Sequence, residues 1–373
     1  MKDKCSDLAQ VILFMIVILG GMFGILLMPE KKFSQNENRM LATHPQYSLK
    51  KITNGEWMQE WDAYLMDQFP FRDGFVGIKS LCERLSGKTE NNEVYFGKKD
   101  TLIKRFYQPD QNLVENNISS VNSLAEQADA EVYFSLIPGA VSIWKDRLPN
   151  NAWNDDQTEL IDRIYEKVQC KTVDNYSELW NHKEEYIFYR TDHHWTTLGA
   201  YYGYRAVTKA MELQAVPVTE YEPEVVSSQF YGTVYSASGV RWVEPDQMER
   251  YVPEQGKTVE KYVGAQSTPG IFYDYDKLSV KDKYAFFFGG STPLLRITND
   301  KAEGGSILVI RDSYSDSEAP FLTENYAEVW LLDLRYYKFG VQYFLQQHPV
   351  DVILINYSVS NFVEDRNLGM MAR

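Results

Sequence analysis

Cysteine is scarce in this chain: three in 373 residues, at Cys5, Cys82 and Cys170. None has the close spacing of a metal-binding motif; Cys82 and Cys170 are free to pair outside the cell, but nothing in the sequence demands it. Positive charge is in deficit. Lys and Arg number 38 against 52 Asp and Glu, for a net charge of −14. Nucleic acid is thereby excluded as a partner, since it needs a basic footprint. Histidine is rarer still, with five residues. No sequence feature marks a cofactor site. Long apolar runs are absent after residue 29, so everything beyond it reads as one ectodomain.

The one long apolar run is at the start. Leu8 to Met28 spans 21 residues without a charge. As a helix it would be about 31 Å long, the thickness of a bilayer's hydrocarbon core. Leu26-Leu27-Met28-Pro29-Glu30 is a poor signal-peptidase site. Residues 1–28 therefore read as a cytoplasmic tip and an uncleaved signal anchor, with the rest extracytoplasmic. Lys2 and Lys4 before the run agree with that orientation, though Lys31 and Lys32 flank the other end.

Residues 29–110 read as an N-terminal extension. Asn54–Gln68 has helical spacing at Trp57, Trp61 and Leu65, and Pro70 ends it. Phe75–Leu85 is a second helix, and Glu93–Phe96 with Thr101–Ile103 a hairpin. Residues 111–373 read as α/β. Glu131–Ile137, Lys171–Val173, Ser306–Ile310, Glu328–Leu332 and Asp351–Ile355 are short apolar or β-branched runs. Helical patterns separate them, which predicts a doubly wound parallel sheet. Residues 214–305 differ in texture: aromatics, Gly-Ser turns and few helical patterns. They read as a β-rich insertion, a lid, an edge or a substrate selector, with Tyr284–Gly290 its most strand-like piece. The 26 tyrosines suit sugar platforms, although most are expected in ordinary core and surface roles.

The chemistry concentrates in Asp192-His193-His194-Trp195, just ahead of a helix running from Thr197 to about Leu213 with Thr196 or Thr197 as its cap. On an extended segment Asp192 and His194 share one side, and His193 and Trp195 the other. Adjacent histidines pointing apart disfavour a shared metal ion. A carboxylate against an imidazole fixes its tautomer, so Asp192 and His194 are a candidate orienter and base; the plainer alternative is a structural pair with Trp195 in the core. Downstream, Arg311-Asp312-Ser313 follows a strand at the sheet edge where ligands sit. Ser313 is a candidate nucleophile at a helix N-terminus, or a simple N-cap. Pro320 fits that helix if it lies in the first turn. Arg335, Asn356 and Tyr357 follow late strands and, with Trp195, are candidates for oxyanion or substrate contacts.

These motifs resemble a family. Asp192-His193-His194-Trp195 is the namesake signature of the DHHW family of bacterial envelope proteins, which is similar to the alginate O-acetylation proteins with their SGNH-hydrolase-like catalytic domain. The resemblance also rests on Glu37-Asn38-Arg39-Met40-Leu41, Asp67-Gln68-Phe69-Pro70-Phe71-Arg72, Gly97-Lys98, Phe288-Gly289-Gly290, Asp312-Ser313-Tyr314 and Asp333-Leu334-Arg335-Tyr336-Tyr337. It implies a triad of Asp192, His194 and Ser313 and an O-acetyltransferase that forms an acetyl-serine intermediate. It also implies a polysaccharide or cell-wall glycan acceptor and a multispanning membrane-bound O-acyltransferase as acetyl supplier. Arg311 stands where the SGNH lineage usually has glycine, and no Gly-x-Asn-Asp block is visible. A polysaccharide esterase, a non-catalytic glycan-binding scaffold and, more remotely, a metal-dependent hydrolase stay open as alternatives.

Overall fold

The computed structural model describes residues 2–107, 109–264 and 266–373, with side chains from residue 7 onward. Two compact units are present. The smaller comprises residues up to Asn91 together with Tyr235–Trp242. It holds helix α1 (Lys2–Leu27), α2 (Glu56–Asp67) and α3 (Arg72–Leu85). Within α1, Asp7–Leu27 is long and apolar enough to cross a membrane. The hairpin at Val94–Phe96 and Leu102–Lys104 falls in the larger unit, residues 92–234 and 243–373. Cys82 and Cys170 are free thiols.

The larger unit is built on one mixed sheet. Its strands, in chain order, are β1 (Glu131–Ile137), β2 (Lys171–Val173), β3 (Lys257–Val263), β4 (Gln266–Pro269), β5 (Leu294–Asn299), β6 (Ser306–Arg311), β7 (Glu328–Leu332) and β8 (Val352–Ser358). They lie in the order β4-β3-β5-β7-β6-β8-β1-β2. Strands β7, β6, β8, β1 and β2 are parallel; β5, β3 and β4 continue the sheet antiparallel. Val309 pairs with Leu331 on one side and Leu354 on the other, all three fully buried. Burial on both faces explains why these runs lack polar alternation. Helices α4 (Gln111–Gln127), α5 (Gln157–Tyr165), α6 (Thr197–Ala210), α7 (Ser315–Leu322), α8 (Val341–Gln347) and α9 (Val359–Glu364) accompany the sheet.

The insertion differs from its expected form in two ways. Its strands β3, β4 and β5 extend the main sheet, beside a separate two-stranded ribbon of Glu224–Phe230 and Asp246–Arg250. Tyr284–Gly290 is not a strand. Lys283–Phe286 is a 3₁₀ turn, and Phe288, Gly289 and Gly290 all have positive φ, which an extended chain cannot accommodate. Pro320 is the sixth residue of α7 rather than part of its first turn, and the helix stops two residues later.

From β6 the chain crosses through α7 to β7 on one side, then through α8 to β8 on the other. The carboxyl end of β6 is thus a point where connections diverge, the place where open α/β sheets leave a crevice. Beneath it lies a polar cluster. Arg311, the last residue of β6, is fully buried, with Nη1 2.5 Å from Asp316 Oδ1. Asn356 Nδ2 donates to Ser315 Oγ (2.9 Å) and Glu318 Oε2 (2.5 Å). Burial raises the Asp316 carboxyl to about 7, against the pull of Arg311. It raises Glu318 to about 8, with the Asn356 hydrogen bond opposing.

A carboxyl whose pKa rises on folding contributes stability that is complete below its unfolded value and lost as pH climbs through the folded one. For Glu318 the window runs from 4.5 to about 8. We predict that Glu318→Gln gains stability relative to wild type as pH rises across that window. Urea unfolding of both proteins at a series of pH values measures it; parallel stability–pH curves would disprove the assignment.

Candidate active site

Asp192-His193-His194 sits at the tip of a closed loop. Phe188 and Trp195 form an antiparallel bridge, Tyr189 N–H donates to His194 O (3.2 Å), and Thr196 N–H to Ile187 O (3.0 Å). Thr196 caps α6, accepting from Gly199 N–H at 3.2 Å. Asp246, wholly buried, accepts from Arg190 N–H (3.1 Å), Thr191 N–H (2.8 Å), Thr191 Oγ1 (2.5 Å) and the Tyr186 hydroxyl.

The tip bends instead of running extended. Asp192 Oδ1 accepts from the backbone N–H of His194 at 3.0 Å, the local turn that aspartate side chains favour. The same oxygen lies 2.5 Å from His194 Nδ1. Asp192 and His194 therefore meet through a turn, not through strand alternation. His193 does not face away as alternation requires. Its ring centroid is 3.8 Å from that of His194, and its Nδ1 is 3.6 Å from Asp192 Oδ1. The geometric argument against a shared ion fails with it, since Asp192, His193 and His194 bring ligand atoms within 4.8 Å of one another. In this structure those atoms are engaged in hydrogen bonds. Thr233 donates to Asp192 Oδ2 through its N–H (2.7 Å) and its hydroxyl (2.9 Å). A hydroxyl has one proton, so His193 Nδ1, 2.7 Å from Thr233 Oγ1, must be the donor there.

His194 Nε2 lies 2.7 Å from Ser313 Oγ. With Nδ1 protonated toward the carboxylate, Nε2 is the acceptor and the serine hydroxyl the donor. Ser313 is partly exposed, whereas Asp192 and His194 are buried. Helix α7 takes no side-chain cap, so the Ser313 hydroxyl is not spent as one. Asp312, fully buried, accepts from Tyr314 N–H (3.0 Å), Ser358 N–H (2.9 Å), Ser358 Oγ (2.7 Å) and Asn361 Nδ2 (2.7 Å), fixing the turn that presents the serine.

Burial would raise the Asp192 pKa, but the charges of His193 and His194 and their hydrogen bonds hold it well below the usual carboxylate range. Burial, then the charge of His193, pushes His194 down, with Asp192 opposing. At neutral pH the pair is thus carboxylate and neutral imidazole.

The remaining candidates divide. Trp195 is fully buried; its indole N–H points to Tyr314 O and Ser317 Oγ, each at 3.0 Å. Asn356 is fully buried and its amide protons go to Ser315 and Glu318. Neither has a donor left for an oxyanion. Arg335 and Tyr357 line a cavity of about 360 Å³ with Asp312 and Asn361. Arg335 is gripped bidentately by Asp333 (2.9 and 2.7 Å), and the buried Tyr357 hydroxyl has no hydrogen-bond partner among the described residues.

Sequence reasoning missed three neighbours. Tyr284 stacks on His194, with centroids 3.8 Å apart and planes 7° apart, and its hydroxyl is 2.9 Å from Ser317 Oγ. Thr233 and Asp246 come from the insertion. Their only trace in the sequence is Gly232, where Asp192 leaves no room for a side chain.

No curated protein matches this chain. Among solved structures, a DHHW family protein from Eubacterium siraeum is 23% identical with a TM-score of 0.66, over 75% of this chain and 95% of that one. Bacillus cereus PatB1, solved with a sulfonyl adduct, is 20% identical with a TM-score of 0.62, over 74% and 97%. The O-acetyltransferase domain of Pseudomonas putida AlgJ is more distant, at 15% identity and a TM-score of 0.45, over 73% and 92%. A family model described as DHHW protein matches residues 94–332, which takes in the bent Asp-His-His-Trp loop and β6 with its serine, and the chain belongs to that family.

Proposed function

We propose that this protein is a membrane-anchored O-acetyltransferase of SGNH type that modifies an extracytoplasmic glycan, with Ser313, His194 and Asp192 as its triad. The observation that carries this reading is the unbroken relay from Asp192 Oδ1 through His194 to Ser313 Oγ, at 2.5 and 2.7 Å. A likeness in fold to PatB1, which was solved with a sulfonyl adduct, agrees with it, because sulfonyl groups attach to activated nucleophiles.

In this mechanism His194 Nε2 takes the Ser313 proton as Oγ attacks the acetyl carbonyl. Asp192 stabilises the imidazolium. The Ser313 N–H, just ahead of α7, is the proposed donor to the developing oxyanion. As the tetrahedral intermediate collapses, the C–O bond to the donor breaks and His194 returns the proton to the leaving oxygen. A glycan hydroxyl then gives its proton to His194 and attacks the acetyl-serine; the bond from the acetyl carbon to Ser313 Oγ breaks, His194 returns the proton to that oxygen, and the acetyl leaves on the glycan. Arg335 and Tyr357 line the cavity beside Asp312, which supports a part for Arg335 in holding a donor or acceptor group. A multispanning O-acyltransferase is the proposed acetyl source, consistent with α1 as an anchor. Water in place of the glycan hydroxyl makes the same site an esterase.

Ser313→Ala should lower turnover of a small acetyl ester by about four to six orders of magnitude, as in other triads. Because Ser313 caps nothing, its stability should stay within about 0.5 kcal/mol of wild type. Assays with and without a glycan acceptor read transfer against hydrolysis. Retained turnover in the alanine variant would end the triad assignment.

His193→Gln tests the electrostatics. The charge of His193 lowers the His194 pKa, so its removal should raise that pKa and move the acid limb of kcat/KM to higher pH. Glutamine keeps a donor for Thr233. A limb that stays in place, or moves to lower pH, would show that His193 does not tune the base.

A further inference from the structure

The two motifs that the active site leaves unused, Glu37–Leu41 and Asp67–Arg72, meet in the smaller unit. Arg39 grips Asp67 with Nη1 and Nη2 (2.9 and 2.5 Å), and Arg72 Nη1 lies 2.7 Å from Glu37 Oε1. Gln68 accepts from Lys31 N–H (3.0 Å) and donates to Lys31 O (2.8 Å) and Ala42 O (2.9 Å). The clasp holds the turn between α2 and α3 to the chain just beyond α1. The turn then reaches back along α1. Phe69 and Pro70 pack directly on Gly21 and Gly24, leaving no room for a side chain at either.

Gly24 and Gly21 lie four and seven residues before Met28, where the uncharged run ends. At about 1.5 Å per residue they are roughly 6 and 10 Å inside that end of the run. If α1 crosses a bilayer, whatever touches these glycines is below its surface. The side chains around the contact fit that depth. Phe71 is 78% exposed although its backbone is left-handed (φ 57°), a costly way to hold an aromatic ring in water. Met66, Phe75 and Ile78 are exposed beside it. A groove of about 650 Å³ runs among Val17, Leu65, Phe69, Phe75 and Val76, with Arg72 and Lys79 completing its lining. Long cationic side chains of this kind extend toward the phosphate level while their stems stay in hydrocarbon.

We infer that the turn between α2 and α3, with Phe71 at its tip, is a second membrane contact that inserts beside α1 and takes lipid acyl chains in the adjoining groove. This rests on the reading of α1 as a membrane anchor. The paired motifs are its clasp: they set how deep the turn sits. Several apolar side chains at that depth make it an interfacial wedge, not a second span.

The test is photo-crosslinking of the full-length protein in nanodiscs of phosphatidylcholine and phosphatidylglycerol carrying a diazirine at mid-chain. Adducts are mapped by mass spectrometry. Labelling of α1 together with residues 65–75 is the expected result. Labelling of α1 alone overturns the wedge, leaves the anchor intact and points to a protein partner for that surface. No labelling of either removes the anchor and the wedge together. Phe71→Asp provides a second arm, since aspartate tolerates a left-handed backbone. Its adducts over residues 65–75 should fall several-fold with α1 labelling unchanged; undiminished adducts there would also overturn the proposal.

Discussion

The reach of one indole across the chain determines the geometry of this site. Trp195 donates to the Tyr314 carbonyl and to Ser317, 119 and 122 residues further on. Tyr314 answers by donating its hydroxyl to the His193 carbonyl. The loop that carries His194 and the turn that carries Ser313 are thereby tied on both sides of the His194–Ser313 contact. Gly203 on α6 permits this, because the Trp195 ring occupies the space its side chain would fill. A buried indole N–H without an acceptor is costly, so the hydrogen bonds help to fix the register as well as adding to stability. The fully buried Trp195 has this physical reason for its place.

Parallel strands such as Glu131–Ile137 were legible because burial on both faces leaves a nearly unbroken apolar signal; the edge strand Lys171–Val173, with its first two residues exposed, also runs as predicted. The Asp-His-His segment was legible in chemistry but not in shape. Period-two alternation assumes a straight backbone, and the Asp192 carboxylate bends it by capturing the His194 N–H. Tyr284 was beyond reach. Its tyrosine looks like any other in an aromatic-rich insertion, and only tertiary folding stacks it on His194. Tyr284–Gly290 failed as a strand for a local reason: apolar content suggested extension where three successive positive φ angles impose a turn.

Arg311 illustrates how a substitution in a motif can be absorbed by its surroundings. Just before the Ser313 turn, where the resemblance to the SGNH lineage implies a glycine, this chain has a long cation, and the fold carries it inward from the end of β6. Asp316 supplies the counter-charge from α7, the helix whose N-terminus lies beside the serine. Leaving either partner alone in so dry a place would cost several kcal/mol, so the two are bound to each other's presence. The active-site face keeps its turn, and the charge is dealt with underneath it.

The His194 ring has little freedom of any kind. Asp192 holds one nitrogen, and the rings of Tyr284 and His193 each stand 3.8 Å from its own. An imidazole so confined has no second pose from which to deliver a proton. In the proposed mechanism, whatever leaves the serine-bound carbon and whatever arrives there use the same nitrogen, and so take turns. The order of events in that mechanism, with departure of the donor group before activation of the glycan hydroxyl, thus follows from how tightly one side chain is packed.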